Sequence, residues 1–199
     1  IASGIRDYTI DDIKKDYNKL VDEANKKDKN KDYEISSFSR VGNKAVDYFT
    51  FWERLNTRGP KKISFYELWK HKKVFKKKEF VKSFLYNTYE SRNSKLTEIQ
   101  QMYKVFTMYY GSIYIFKPTL AVDVYKKYNP KCVLDMTMGW GGRLMGACAS
   151  NVPKYIGIDL NTNLEKPYDD MVKFMKDETD SNTEIELHFK DSVKFKYDT

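Results

Sequence analysis

Histidine and cysteine are scarce: the chain has His71, His188, Cys132 and Cys148 and no others. A zinc or non-haem iron centre needs three or four such ligands at set spacings, so metal chemistry is left out of the expectations. Cys132 and Cys148 fall in a predicted strand and a predicted helix and read as core thiols, and the histidines read as surface or packing residues. No stretch approaches the roughly 20 apolar residues that span a bilayer. No basic segment followed by an apolar run stands near Ile1, so neither a membrane partner nor a secretion signal is visible. The five prolines include no adjacent pair, and internal repeats and low-complexity tracts are missing too. These absences predict a soluble intracellular protein, cytoplasmic or nuclear.

Aromatic and basic residues are plentiful by contrast. The 16 tyrosines and 12 phenylalanines are spread along 199 residues and supply a core in spite of a charged fraction of 32%. A formal charge of +8 favours polyanionic partners, because lysine and arginine release counterions from phosphates. A lysine-rich solvated surface is the alternative.

Ile10, Ile13, Tyr17, Leu20, Val21 and Ala24 recur at helical spacing and predict a helix over residues 9–25, opened by a capping box of Thr9 and Asp12. Lys26 to Asp32 has no apolar residue and reads as a linker. Asp47 to Trp52 is dense in aromatics, with Arg40, Arg54 and Arg58 around it. Guanidinium groups beside rings suit stacked or extruded bases; the same cluster also reads as a hydrophobic anchor. Ser64 and Glu67 make a second capping box, and Phe75 to Leu85 predicts a further helix. Lys72, Lys73, Lys76 and Lys77 in this segment suit a phosphate backbone or a wet helix face. Thr97 with Gln100 opens another helix, whose buried stripe is Ile99, Met102, Tyr103, Phe106 and Tyr110, and Pro118 opens one that runs to Tyr128. Residues 1–111 are therefore expected to be a mainly helical, basic region.

From Lys131 the pattern alternates. Strands are predicted at 131–135, 154–159 and 184–189, with helices at 143–150 and 165–176 between them, the signature of a parallel sheet. Gly139, Gly141 and Gly142 stand where the first strand turns into the first helix, a place where a backbone without Cβ turns tightly and lets a ligand approach. Asp159 ends the second strand, where a carboxylate can accept both hydroxyls of a ribose. Asp135 at the end of the first strand would repel a pyrophosphate but suits a cationic amino and sulfonium group, and the glycine spacing differs from that of dinucleotide sites.

Asp135 to Gly142 resembles motif one of class I S-adenosylmethionine-dependent methyltransferases, in the Asp-x-x-x-Gly-x-Gly form typical of DNA amino-methyltransferases. Ile156 to Asp159 resembles their motif two, Lys190-Asp191-Ser192 their motif three, and Phe116-Lys-Pro118 followed by Leu120-Ala121 their motif ten. Met138 to Arg143 is also similar to DNA methylases of large DNA viruses and phages. Met136 and Thr137 stand where the DNA enzymes commonly carry Pro-Phe, a departure that bears on substrate class. The resemblance covers 112–199 and implies an α/β, Rossmann-like sheet with S-adenosylmethionine as cofactor. It implies a binding set of Phe116, Pro118, Asp135, Thr137, Met138, Gly139, Trp140, Gly141, Asp159, Leu160, Asp191 and Ser192. Within that set Asp135, Gly139, Trp140 and Gly141 would hold the methionine part, Asp159 the ribose and Asp191 the adenine. Trp140 alternatively lids the domain against the N-terminal helices.

A class I domain has seven strands, with the catalytic motif after the fourth. Only the first half is legible here, so no catalytic residue is nominated. The remainder is expected from a longer polypeptide or a partner subunit. The expected activity is methyl transfer to an exocyclic amino group of adenine or cytosine in DNA, with the basic region guiding the nucleic acid. Two other readings stand beside it: a non-catalytic nucleic-acid-binding or scaffolding subunit, and a methyltransferase for RNA or protein.

Overall fold

The computed structural model describes residues 1–26, 39–90 and 95–197. The linker expected at Lys26 to Asp32 lies, apart from Lys26, outside the described residues. Helices α1 (Ala2–Ile5), α2 (Ile10–Asn25), α3 (Asn43–Asn56), α4 (Phe65–Lys70), α5 (Lys72–Phe75), α6 (Glu79–Leu85), α7 (Glu98–Tyr109) and α8 (Pro118–Tyr128) come first. Strand β1 (Cys132–Asp135), helix α9 (Gly142–Ala149), strand β2 (Lys154–Ile158), helix α10 (Glu165–Glu178) and strand β3 (Glu184–His188) follow. The protein is thus mixed helix and strand, with a helical N-terminal region and a three-stranded parallel sheet in the order β1-β2-β3.

The chain forms two compact units, Ile1–Asp7 with Phe51–Tyr114, and Tyr8–Thr50 with Ile115–Thr199. Residues 8–26 and 39–50, grouped by the sequence reading with the helical region, belong to the same unit as the sheet. The helical unit has its own core of Phe51, Leu55, Phe65, Leu68, Val81, Leu85, Met102, Val105 and Phe106. Ser64 opens α4 with the reciprocal bonds of a capping box to Glu67, and Gln100 accepts from the Thr97 amide at 3.0 Å at the start of α7. The further helix expected over 75–85 is broken into α5 and α6 and continues as a π-helical turn, Tyr86–Glu90.

In the sheet unit, Ile13, Tyr17 and Leu20 of α2, Ala45 and Val46 of α3, and Ala121, Val122 and Tyr125 of α8 share one core with Tyr155 of β2 and with Tyr168, Met171 and Phe174 of α10. Asp16 anchors the start of α3, accepting from the Lys44 amide at 2.8 Å. Helix α3 itself has no clean apolar period in the sequence and is found only in the structure. Helices α8 and α9 cross closely: a Cβ on Gly146 would stand 2.5 Å from that of Ala121. Register pairs Val133 with Tyr155 and Ile185 on the sheet face turned to this core, and Leu134 with Ile156 and Glu186 on the other. On that second face Leu134 is exposed, and Lys154 bridges Glu184 and Glu186 at 2.9 and 3.1 Å.

No helix among the described residues is long and apolar enough to cross a membrane. No group of three or more His, Cys, Asp and Glu among them could hold a metal ion.

Candidate functional site

Parallel strands bring all three carboxyl ends to one edge of the sheet. There the loop Met136 to Gly141 joins β1 to α9, Asp159 follows β2, and Asp191 and Ser192 follow β3. The loop is fastened at three points. The Met138 amide donates to the Ile158 carbonyl at 3.0 Å, the Gly139 amide donates to Oδ2 of Asp159 at 2.8 Å, and the Tyr168 hydroxyl lies 3.1 Å from the carbonyl oxygens of both Met138 and Gly139. Oδ1 of Asp159 accepts from the Asn161 amide at 2.9 Å. Each oxygen of this half-buried carboxylate keeps one lone pair for an outside donor.

The glycines of the loop do different work. Gly141 has φ +92°, and a Cβ there would stand 2.6 Å from Cε of Met171; a Cβ on Gly142 would fall 1.8 Å from the carbonyl oxygen of Phe116. The left-handed φ demands glycine at 141, and close packing against the Phe116 backbone demands it at 142. Gly139, at φ +60°, meets nothing nearer than the Thr137 carbonyl oxygen at 3.7 Å, so of the three it alone leaves its face open to a ligand.

Asp135 is 7% exposed and does not present a free carboxylate. Its Oδ2 accepts from Nε of Arg143 and from the Tyr155 hydroxyl, each at 2.6 Å. Arg143 also donates to the Thr137 carbonyl, and its guanidinium carbon sits 5.1 Å above the Phe116 ring. Burial is the largest influence on Arg143 and works against its charge, but the Asp135 hydrogen bond together with the charge of Asp135 and the nearby Tyr155 and Tyr168 outweighs it, and its pKa is raised. Burial, with the neighbouring Tyr168 and Asp135, pushes the Tyr155 phenol well up and keeps it a donor. Sequence reasoning missed Arg143, Tyr155 and Tyr168 as parts of this site. Strand parity was the available signal for Tyr155, which pairs with Val133 two residues from Asp135 and so shares its face.

The other nominated residues divide by accessibility. Leu160 is 72% and Phe116 41% exposed, Thr137 is exposed, and Trp140 is half-buried against the core, its carbonyl accepting from the Thr50 hydroxyl at 3.2 Å. Met138 and Pro118 are buried members of the nominated set. Met138 has its Sδ 2.6 Å from where a Cβ on Gly157 would be, and Pro118 packs against Gly42. Asp191 accepts from the Val193 amide at 3.0 Å and closes its own turn, and the Ser192 carbonyl accepts from Tyr197 at 2.8 Å.

Among the nominated nucleic-acid contacts, Arg54 is 7% exposed, and its guanidinium lies 5.2 Å over Phe51 inside the helical unit. Arg58 forks onto Glu67, with Nε 3.0 and 3.1 Å from its two oxygens. Lys72 and Lys76 share Glu98. Arg40, Lys73 and Lys77 are exposed. Of the cysteines, Cys132 is exposed and Cys148 buried, with burial pushing its thiol up to about 12. The chain matches no protein-family model, no curated protein and no solved structure.

Proposed function

We propose that the sheet unit is the cofactor-binding half of a Rossmann-like, class I S-adenosylmethionine-dependent methyltransferase, acting on an exocyclic amino group of a base in DNA. One observation carries the reading. At the carboxyl edge of a parallel sheet, a glycine loop with an open face at Gly139 is bonded directly to the acid that ends the next strand, Asp159. Ligands of open α/β sheets bind at this edge.

The residues present fit the cofactor. Gly139 lets a ligand approach the backbone, Asp159 keeps acceptor capacity for ribose hydroxyls, and exposed Leu160 and Met136 offer apolar surface to an adenine. When bound, S-adenosylmethionine would supply an electrophilic methyl carbon. This chain's contribution is to bind and orient, the effects that dominate an in-line displacement. The remainder of the domain, from a longer polypeptide or a partner subunit, would add the catalytic group, and Lys73, Lys77 and Arg40 would meet phosphates. The test is calorimetric titration with S-adenosylmethionine and S-adenosylhomocysteine, followed by transfer of labelled methyl groups to DNA and to RNA. Binding of either ligand is the expected result. A folded chain that binds neither leaves the scaffolding subunit as the better reading, and transfer to RNA alone changes the substrate.

A further inference from the structure

This inference rests on the reading above and deepens it. An acid at the end of β1 invites the view that it receives the ammonium of the cofactor's amino-acid end. The geometry argues otherwise. Asp135 is buried, and its Oδ2 is already shared by Arg143 and Tyr155. An ammonium brought to this carboxylate would meet the guanidinium that neutralises it.

Arg143 is left with the opposite capacity. Of the five N–H groups of a guanidinium, Nε serves Asp135 and Nη2 serves the Thr137 carbonyl, which engages the side edge of the fork and leaves its end edge without an acceptor among the described residues. The side chain is 27% exposed, so it is not closed off from solvent. An acid and a carbonyl on one edge, with the Phe116 ring against one face, hold the group in place before any ligand arrives. A fixed planar fork of this kind matches a carboxylate with two parallel bonds.

We propose that Arg143 receives the carboxylate of the amino-acid end of S-adenosylmethionine, and that Asp135 is the positioning residue that fixes Arg143. The experiment compares S-adenosylmethionine with its decarboxylated form, which keeps the amine, sulfonium, ribose and adenine, by calorimetry on the wild-type chain, Arg143→Lys and Arg143→Gln. Because Arg143→Gln leaves a buried carboxylate uncompensated, the double variant Asp135→Asn/Arg143→Gln serves as the neutral control. The wild type is expected to prefer S-adenosylmethionine by about tenfold or more. Arg143→Lys should keep part of that preference and the double variant none, the ratio of the two affinities in each chain being the readout. Equal wild-type affinity for both ligands, or a preference that survives in the double variant, overturns the assignment of Arg143 and leaves the cofactor reading standing. Failure of the wild type to bind either ligand overturns both.

Discussion

The Gly139 amide and Oδ2 of Asp159, 20 residues apart in sequence, are joined by a hydrogen bond of 2.8 Å that ties the loop after β1 to the end of β2. Asp159 therefore has a structural task before any ligand binds. Asp159→Ala should lower stability by about 1.5–3 kcal/mol, the usual range for hydrogen bonds to a charged group, and weaken nucleoside binding as well. Asp159→Asn keeps one acceptor for Gly139 and should recover most of the stability. Urea denaturation of the two variants beside calorimetry separates the tasks; equal stability of Asp159→Ala and wild type would show that the bond does not hold the loop.

Two glycines three residues apart, Gly139 and Gly142, should respond differently. Gly142→Ala places a methyl 1.8 Å from the Phe116 carbonyl oxygen, so backbone must separate from backbone; a loss of about 3 kcal/mol or more is expected, at the upper end for overpacking. Gly139→Ala meets open space and carries only the left-handed strain of about 1–2 kcal/mol, but its methyl stands where the cofactor is proposed to approach. Thermal melts should rank Gly142→Ala as the less stable, and ligand titration should rank Gly139→Ala as the weaker binder relative to its folded fraction.

The lysine cluster of the helical unit should divide into two kinds. Lys73 and Lys77 are exposed, whereas Lys72 and Lys76 share Glu98. If the protein binds DNA as proposed, Lys73→Ala/Lys77→Ala should reduce the slope of log affinity against log salt by up to about 2. Lys72→Ala/Lys76→Ala should change the slope less. Fluorescence anisotropy with a labelled duplex between low and moderate salt measures both, and identical slopes in all three chains would remove this face from the binding surface.

Acid should weaken the helical unit through Glu67. The Arg58 guanidinium and the Ser64 cap hold its pKa at about 2, below the ordinary value of 4.5. A carboxylate with a depressed folded pKa contributes stability that is present above its unfolded pKa and lost as pH falls through the folded one. Melting temperature should decline between about pH 4.5 and 2 with a component that Glu67→Gln removes; because the pair is exposed, the component is expected to be small. An unchanged pH profile in Glu67→Gln would show that the fork contributes nothing in solution.

Much of this architecture was legible in the sequence because local physics decides it. Capping boxes at Thr9 and Ser64 act within one turn, alternation from Lys131 fixes strands and helices by length and period, and the expected strands at 131–135, 154–159 and 184–189 coincide with β1, β2 and β3 within a residue or so. Glycine at 139–142 marked a turn for the same reason. Helix α3 was not legible, since its aromatic run has no single apolar face; its first part and its second part belong to different units.

The sequence by itself thus determined the order of the elements and the position of the acid and glycine residues along them, because propensity, capping and periodicity operate over a few neighbours. The tertiary structure alone decided which of those residues still have something to offer a ligand. Burial and long-range partners gave Asp135 to Arg143 and Tyr155, placed Arg54 inside a core, assigned Gly142 to the Phe116 backbone, and left the face of Gly139 open. Such choices depend on contacts between residues far apart in the chain, which no local pattern encodes.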